Sequence, residues 1–227
     1  MENSFTEAFR LIFSGDREVF FIVFTSLRFS LISTAIASLF SIPLGTFIHF
    51  SSFPFKRGVG ALLNALMALP TVVVGLLVFS FISRSGPFGN LNLLFTPAAV
   101  IIGQVILSFP ILTSLIYSGL SKIDSRFHET LITLGAKKKD VIKASVIEAR
   151  FIIISAVMAG FGRVIGEVGV SMMLGGNIRW YTRTMTTTIS LETSKGDFEL
   201  GLSLGIILMI IALAVNAVVH ALVKNNE

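Results

Sequence analysis

The chain has 227 residues, of which 53% are hydrophobic and only 14% are charged, whereas a soluble domain carries about 25% charged residues. That deficit excludes an ordinary soluble protein, and the lack of cysteine excludes disulfides and thiolate metal sites. The net charge of +5 is concentrated at the ends of apolar blocks and in two loops, a pattern of membrane topology that does not favour nucleic-acid binding.

The first 18 residues contain several charges and lack the clean apolar segment of a cleavable secretory signal, so no signal peptide is expected there. Phe5, Ala8, Phe9 and Ile12 recur at helical spacing. Such an amphipathic stretch beside a membrane protein predicts a short interfacial helix.

Five apolar blocks follow, each long enough for a bilayer, which a helix of about 20 residues can cross. They cover roughly residues 19–50, 59–82, 97–120, 151–174 and 200–223. The sequence therefore predicts an all-α integral membrane protein with about five transmembrane helices in a single domain, residues 1–227.

The second block contains Pro70 followed by Thr71. A proline within a span frees a carbonyl that a neighbouring helix or hydroxyl must satisfy. We therefore expect a helix that is packed against other helices and interrupted beside a transport pathway.

The fourth block carries two charges, Arg163 and Glu167, at a spacing that lets them meet on one helix face. Gly162 and Gly166 beside them permit close helix contact. The pair either neutralises itself at a helix crossing or borders an aqueous pathway. A direct substrate site is less favoured, because Glu167 would repel an anion that Arg163 attracts.

The longest polar interval, residues 122–150, separates the third and fourth blocks and carries seven Lys and Arg residues. The loop after the first block has Lys56 and Arg57, whereas the loop after the second has only Arg84. Short loops rich in Lys and Arg face the cytoplasm. We therefore expect the N-terminus outside and the C-terminus inside.

The sequence of residues 122–150 predicts two short helices joined by a turn. Asp124 or Ser125 can cap the first helix, and Phe127, Leu131 and Leu134 form its apolar stripe. Gly135 follows where a left-handed helix end favours glycine. The second helix is expected to present Val141, Ile142, Ser145, Val146 and Ala149 on one face and to continue into the fourth block.

This interval resembles the cytoplasmic EAA loop of bacterial ATP-binding-cassette importer permeases. Glu129 and Gly135 match the spacing of that pattern, while Thr130 and Leu131 replace its alanines and its final proline is absent. The stretches ALPTVVVGLLVFSFISRSGPFG, GRVIGEVGVSMMLGGNIR and TTTISLETSKGDF look like permeases for molybdate and tungstate, and most like those for tungstate. The likeness spans roughly residues 20–215.

The resemblance implies a type I importer permease, present as a homodimer in a prokaryotic inner membrane. Two separate ATPase subunits would bind ATP and Mg²⁺, and an extracytoplasmic binding protein would deliver the oxyanion. The chain itself has no phosphate-binding loop of the G-x-x-x-x-G-K-[ST] type and is not expected to be an enzyme. Molybdate or a sulfate-like oxyanion is the alternative cargo, and a secondary transporter without an ATPase is the alternative class.

By the same resemblance, the ATPase would receive the first loop helix. The expected docking residues are Asp124, Phe127, Glu129, Leu131, Leu134, Gly135, Ala136 and Lys138. The competing interpretation is an amphipathic helix on the membrane surface, with Lys137–Lys139 facing lipid phosphates. Pro70, Thr71, Arg163 and Glu167 are the candidates for the pathway or its gate.

Two further expectations concern polar residues elsewhere. The histidines His49, His128 and His220 are scattered and show no metal-binding spacing. The polar interval after the fourth block is expected outside, where a binding protein would dock. Its residues Thr184, Thr186, Thr187 and Thr188 would either line an external mouth or lie on a solvated helix.

Overall fold

The computed structural model describes residues 10–11 and 14–224, and every regular element in that part of the chain is helical. Ten α-helices follow one another there, with a short 3₁₀ turn at Gly89–Leu91. They are α1 Arg17–Phe50, α2 Lys56–Met67, α3 Thr71–Ile82, α4 Pro97–Leu120, α5 Ser125–Thr133, α6 Lys138–Glu148, α7 Arg150–Ile165, α8 Gly169–Gly175, α9 Met185–Lys195 and α10 Phe198–Lys224. The four residues that predict an interfacial helix lie outside the described residues.

Three of the described helices, α1, α4 and α10, are long and apolar enough to cross a membrane by themselves. Two bent pairs pass the same test when each is taken as one span: α2 with α3, bent by 95°, and α7 with α8, bent by 60°. The described chain therefore has three candidate spans, or five when each bent pair counts as one.

Helix α1 is the longest element and begins where the Asp16 side chain accepts the backbone N–H groups of Glu18 and Val19. Its 34 residues give a length of about 51 Å at the standard helical rise, well beyond the roughly 30 Å of a bilayer core. The helix must therefore tilt or project from the membrane.

The two faces of α1 differ sharply. Its inner face carries small hydroxyl residues that let α4 approach closely: the Ser33 hydroxyl lies 2.9 Å from the Gln104 side chain, and Ser41 donates to the Phe109 carbonyl at 3.1 Å. Its outer face exposes large apolar side chains, including Phe20, Phe24, Leu31, Leu39, Phe40 and Phe47. This asymmetry fits one side against protein and the other against lipid.

The second apolar block is broken at residues 68–70, as its proline predicts. Pro70 has no N–H to continue the ladder, and α3 begins immediately after it. Only one side of α3 is packed, through Val74, Gly75, Val78 and Ile82, while Pro70 itself is exposed. We expected α3 to be packed against other helices, and within one chain this is true of one face only.

The fourth block differs from the single helix that its apolar length suggests, because residues 166–168 interrupt it. Beyond the break, α8 packs between α3 and α4 through Val170 and Leu174. Gly103 of α4 makes this possible: a Cβ there would lie 2.3 Å from Val170 and 2.5 Å from Leu174.

The interval between α8 and α9 is tied to the beginning of α1 by charge. Arg179 and Arg183 both reach the carboxylate of Glu18, Arg183 at 3.2 Å. The hydrogen bond that Arg179 donates to Glu18, aided by the negative charge of Glu18, raises the pKa of the Arg179 guanidinium. These contacts hold the start of α1 against a loop more than 160 positions away in the sequence.

Candidate functional site

Helix α5 in the long polar loop is a short body with both ends capped. The Asp124 side chain accepts the N–H of Arg126 at 2.9 Å, and Gly135 adopts φ +81° just beyond the last turn. The N–H of Ala136 bonds to the carbonyl of Leu131 at 3.0 Å, closing the left-handed helix end. Both predicted caps are confirmed.

The residues of the predicted apolar stripe of α5 differ in their exposure to solvent. Phe127 and Leu131 are half-buried, whereas Leu134 is 77% exposed. Beside Leu134, Ile132 is 64% exposed, although it lies off the stripe and sequence reasoning missed it. Glu129 is also exposed. The outward surface of α5 therefore offers the Glu129 carboxylate, the Arg126 guanidinium and two large apolar side chains.

Helix α6 packs on the rest of the chain through its predicted face, with Val141, Ser145 and Ala149 buried. It ends at Glu148, and α7 starts as a separate helix at Arg150, so the expected continuous helix is wrong. Lys138 begins α6 and lies apart from α5, lining a cleft between α6 and the end of α1.

Two of the histidines that look scattered in the sequence lie close together. The ring centroids of His49, near the end of α1, and His128, on α5, are 6.3 Å apart. The sequence offers no local signal for this approach, because 79 positions separate the two residues and only the packing of α5 against α1 joins them.

The charged pair in the fourth block forms as its spacing predicts. Arg163 donates to Glu167 at 2.8 Å, and Glu167 is 3% exposed while the Arg163 side chain is 41% exposed. Glu167 lies in the break and not on the helix, where its other carboxylate oxygen accepts the N–H of Val170 at 3.3 Å. One carboxylate thus holds Arg163 and caps α8, the positive end of which favours an anion.

The two broken spans meet at their breaks. A Cβ placed on Gly169 would lie 3.3 Å from the Thr71 hydroxyl, 3.1 Å from Val72 and 3.4 Å from the Glu167 carboxylate. Thr71 and Glu167, from separate parts of the sequence, therefore both lie against Gly169. We call this place, defined by Pro70, Thr71, Arg163, Glu167 and Gly169, the break junction.

The threonines after the fourth block are buried, which contradicts both an external mouth and a solvated helix as their position. Thr184, Thr186, Thr187 and Thr188 are each no more than 6% exposed. Thr184 caps α9 through Thr187, and Thr186 donates to the Glu167 carbonyl at 2.8 Å. Thr186 thus satisfies a backbone carbonyl at the break junction, and the other hydroxyls bond within α9 and the loop before it, so none is directed to solvent.

The exposed face of α7 combines glycines with a charge, which a purely lipid-facing surface does not favour. It carries Gly162, Arg163 and Gly166, and a Cβ on Gly162 would meet nothing within 4 Å. A cation within a candidate span costs about 2.5–3.5 kcal/mol in lipid on insertion scales, and non-helical backbone is tolerated only beside protein or water. Broken helices that meet beside a charge are typical of transport proteins, and this is the class that the fold and the break junction define.

Comparison with known proteins specifies that class. Residues 41–227 match the family described as binding-protein-dependent transport system inner membrane component, and the chain belongs to that family. It is 41% identical over 218 residues to the tungstate uptake system permease protein TupB of Peptoclostridium acidaminophilum, with 96% of each chain covered. It is 37% identical over 220 residues to the protein of the same name from Campylobacter jejuni, with 97% of this chain and 92% of that one covered.

The fold is shared with solved transporter structures at much lower identity. A chain of the MetNI methionine ABC transporter in an inward-facing conformation superposes with a TM-score of 0.69 at 15% identity. The superposition covers 90% of this chain and 96% of the other. At this identity the likeness defines the fold alone.

Proposed function

We propose that this chain is the membrane permease of a tungstate importer in a prokaryotic inner membrane. The observation that carries the proposal is the near full-length similarity to two tungstate uptake permeases. Tungstate and molybdate are both tetrahedral dianions, so a molybdate or sulfate-like permease is the alternative within the same class. Discrimination between them belongs mainly to the extracytoplasmic binding protein that delivers the ion.

Two copies of the chain enclose the pathway in this proposal. The exposed face of α7 supplies the contact, because its glycines permit close approach and Arg163 needs a partner other than lipid. The break junction then borders the pathway. Since Glu167 already neutralises Arg163, an oxyanion passes this point without being trapped there.

The outward surface of α5 is the docking site for one ATPase subunit, which binds ATP and Mg²⁺. Glu129 offers a charge, Ile132 and Leu134 offer apolar contact, and the caps at Asp124 and Gly135 keep the helix compact as it moves. The abundance of Lys and Arg in residues 122–150 supports a cytoplasmic position for this helix, with the N-terminus outside.

The test is co-expression of the chain with its cognate ATPase, followed by purification of the complex. Glu129→Arg reverses the charge of the exposed carboxylate on α5, and we expect it to remove most of the ATPase, because like charges in an interface cost several kcal/mol. Glu148→Arg is the matched control: it reverses another exposed carboxylate of the same loop, at the end of α6, and should retain the ATPase.

Reconstitution completes the test of function. The complex with its binding protein should accumulate tungstate in proteoliposomes only when ATP is supplied, and the chain alone should not. A Glu129→Arg complex that retains the ATPase would exclude the docking role of Glu129. Uptake without any ATPase would instead establish the secondary transporter.

A further inference from the structure

His128 lies where α5 contacts the rest of the chain. It is half-buried, whereas its neighbour Glu129 is exposed. Successive residues of an α-helix are about 100° apart around the axis, so the two adjacent side chains face different surroundings. Glu129 faces the proposed ATPase, and His128 faces the rest of the permease.

A hydrogen bond joins His128 to α6. Its Nε2 lies 3.2 Å from the hydroxyl of Ser145, which is fully buried. The Ser145 hydroxyl donates its single proton to the Val141 carbonyl at 2.8 Å, so its oxygen must accept from the histidine. The His128 tautomer with its hydrogen on Nε2 fits this arrangement. Among the described side chains of α5, no other makes a hydrogen bond to another helix.

The same imidazole also contacts the end of α1. Its ring centroid is 5.4 Å from that of Phe50, the last residue of α1, and 6.3 Å from that of His49. His49 is itself held in place, because its ring lies 3.3 Å from the Ser121 hydroxyl at the end of α4 and its carbonyl accepts from Lys56. His128 thus touches a helix that is anchored to two neighbouring elements.

From these contacts we infer that His128 is a positioning residue that transmits movement of α5 to α6 and α1. The inference rests on the proposed role of α5 as the ATPase-docking helix. A push on the outward surface of α5 reaches α6 through the bond from His128 to Ser145. It reaches the longest candidate span through the contact of His128 with Phe50. Without these contacts α5 still docks, but its movement is lost before it reaches the spans.

The experiment measures tungstate transported per ATP hydrolysed, using the complete complex in proteoliposomes. His128→Leu keeps most of the side-chain volume and loses the hydrogen bond, and Ser145→Ala removes the acceptor. We expect either change to lower the transport ratio about two- to ten-fold, the range that one net hydrogen bond allows. The double variant should fall no further, because both changes remove the same bond.

Two further variants separate transmission from folding and from docking. His128→Gln retains an N–H donor and should recover much of the ratio, and Thr130→Ala should not change it, because that hydroxyl bonds only to the Arg126 carbonyl of its own helix. All variants should co-purify with as much ATPase as the wild type.

A wild-type transport ratio in His128→Leu would overturn the inference, and so would loss of the ATPase from that variant, which would make His128 a docking residue. A glutamine variant as poor as the leucine variant would exclude the hydrogen bond as the route. Failure of the wild-type chain itself to pair with an ATPase would be a different result, because it would overturn the proposed function of α5.

Discussion

At the scale of single residues, the two alternatives for the Arg163–Glu167 pair, neutralisation alone or a place beside a pathway, make different predictions. The ion pair forms at 2.8 Å, and Glu167 also caps α8 within the break. The arginine is partly exposed on a face that also carries glycines. A pair needed only for neutrality would not have to lie where two broken spans meet.

Substitution of this pair tests the distinction. Glu167→Gln keeps an acceptor for the Val170 N–H but leaves Arg163 without its counter-ion, and we expect lower thermal stability and reduced tungstate uptake. Adding Arg163→Met removes the unpaired cation and should restore most of the stability. We expect uptake to stay low in the double variant, measured beside its melting temperature. If uptake recovered together with stability, the pair would contribute to the stability of the fold and not to transport.

At the scale of elements, α5 shows how a short helix can keep its shape while exposed. An isolated helix of nine residues is not stable in water, because nucleation is costly and helices shorter than about 12 residues are marginal. The caps at Asp124 and Gly135 stabilise the two ends of α5. Partial burial of Phe127, Leu131 and His128 adds the packing that makes a helix of this length stable. The glycine is required by backbone geometry and not by space, since a Cβ at Gly135 would meet nothing within 4 Å.

The glycine at the end of α5 gives a clean test of that element. Gly135→Ala should cost about 1–2 kcal/mol, because an alanine in the left-handed region is strained, and we expect less ATPase to co-purify with the chain. Gly135→Asn is the matched control, since asparagine tolerates that conformation. Equal loss in both variants would mean that the absence of a side chain matters more than the backbone angle.

At the scale of the whole molecule, the exposed surfaces differ in chemistry. One side of α1 presents mostly large apolar side chains, as a lipid-facing surface should, and the exposed Arg28 near its start is long enough to reach the membrane interface. The exposed face of α7 instead presents glycines and a cation. The proposed dimer places the second surface at the contact between copies and the first toward lipid.

The lack of native cysteine makes this arrangement directly measurable. Gly162→Cys adds a thiol on the α7 face without a clash inside its own chain, and we expect short bifunctional reagents to link two copies in membranes. Leu39→Cys, on the 69% exposed apolar side of α1, should stay monomeric under the same treatment. Cross-linking at residue 39 but not at residue 162 would contradict the proposed contact face.

Several features of the fold follow from local chemistry alone. The apolar blocks predict the long helices because burial in lipid needs their length, and Asp124 and Gly135 predict the ends of α5 because caps depend on neighbouring backbone groups. The ion pair between Arg163 and Glu167 is also local, since four positions bring two side chains together at the end of a helix.

Tertiary structure alone decided which distant parts of the chain are in contact. The meeting of Thr71 with Gly169, and of His128 with Ser145 and Phe50, depends on which helices pack together, and no spacing in the sequence encodes that. The burial of the threonines around Thr186 differs from the sequence prediction for the same reason. Thr186 donates to a carbonyl in the break of the fourth block and the other threonine hydroxyls bond within residues 177–188, so a polar stretch could be buried. Sequence by itself determined the elements and their ends, because these depend on nearby residues, whereas the break junction and the link from α5 to the spans exist only through packing.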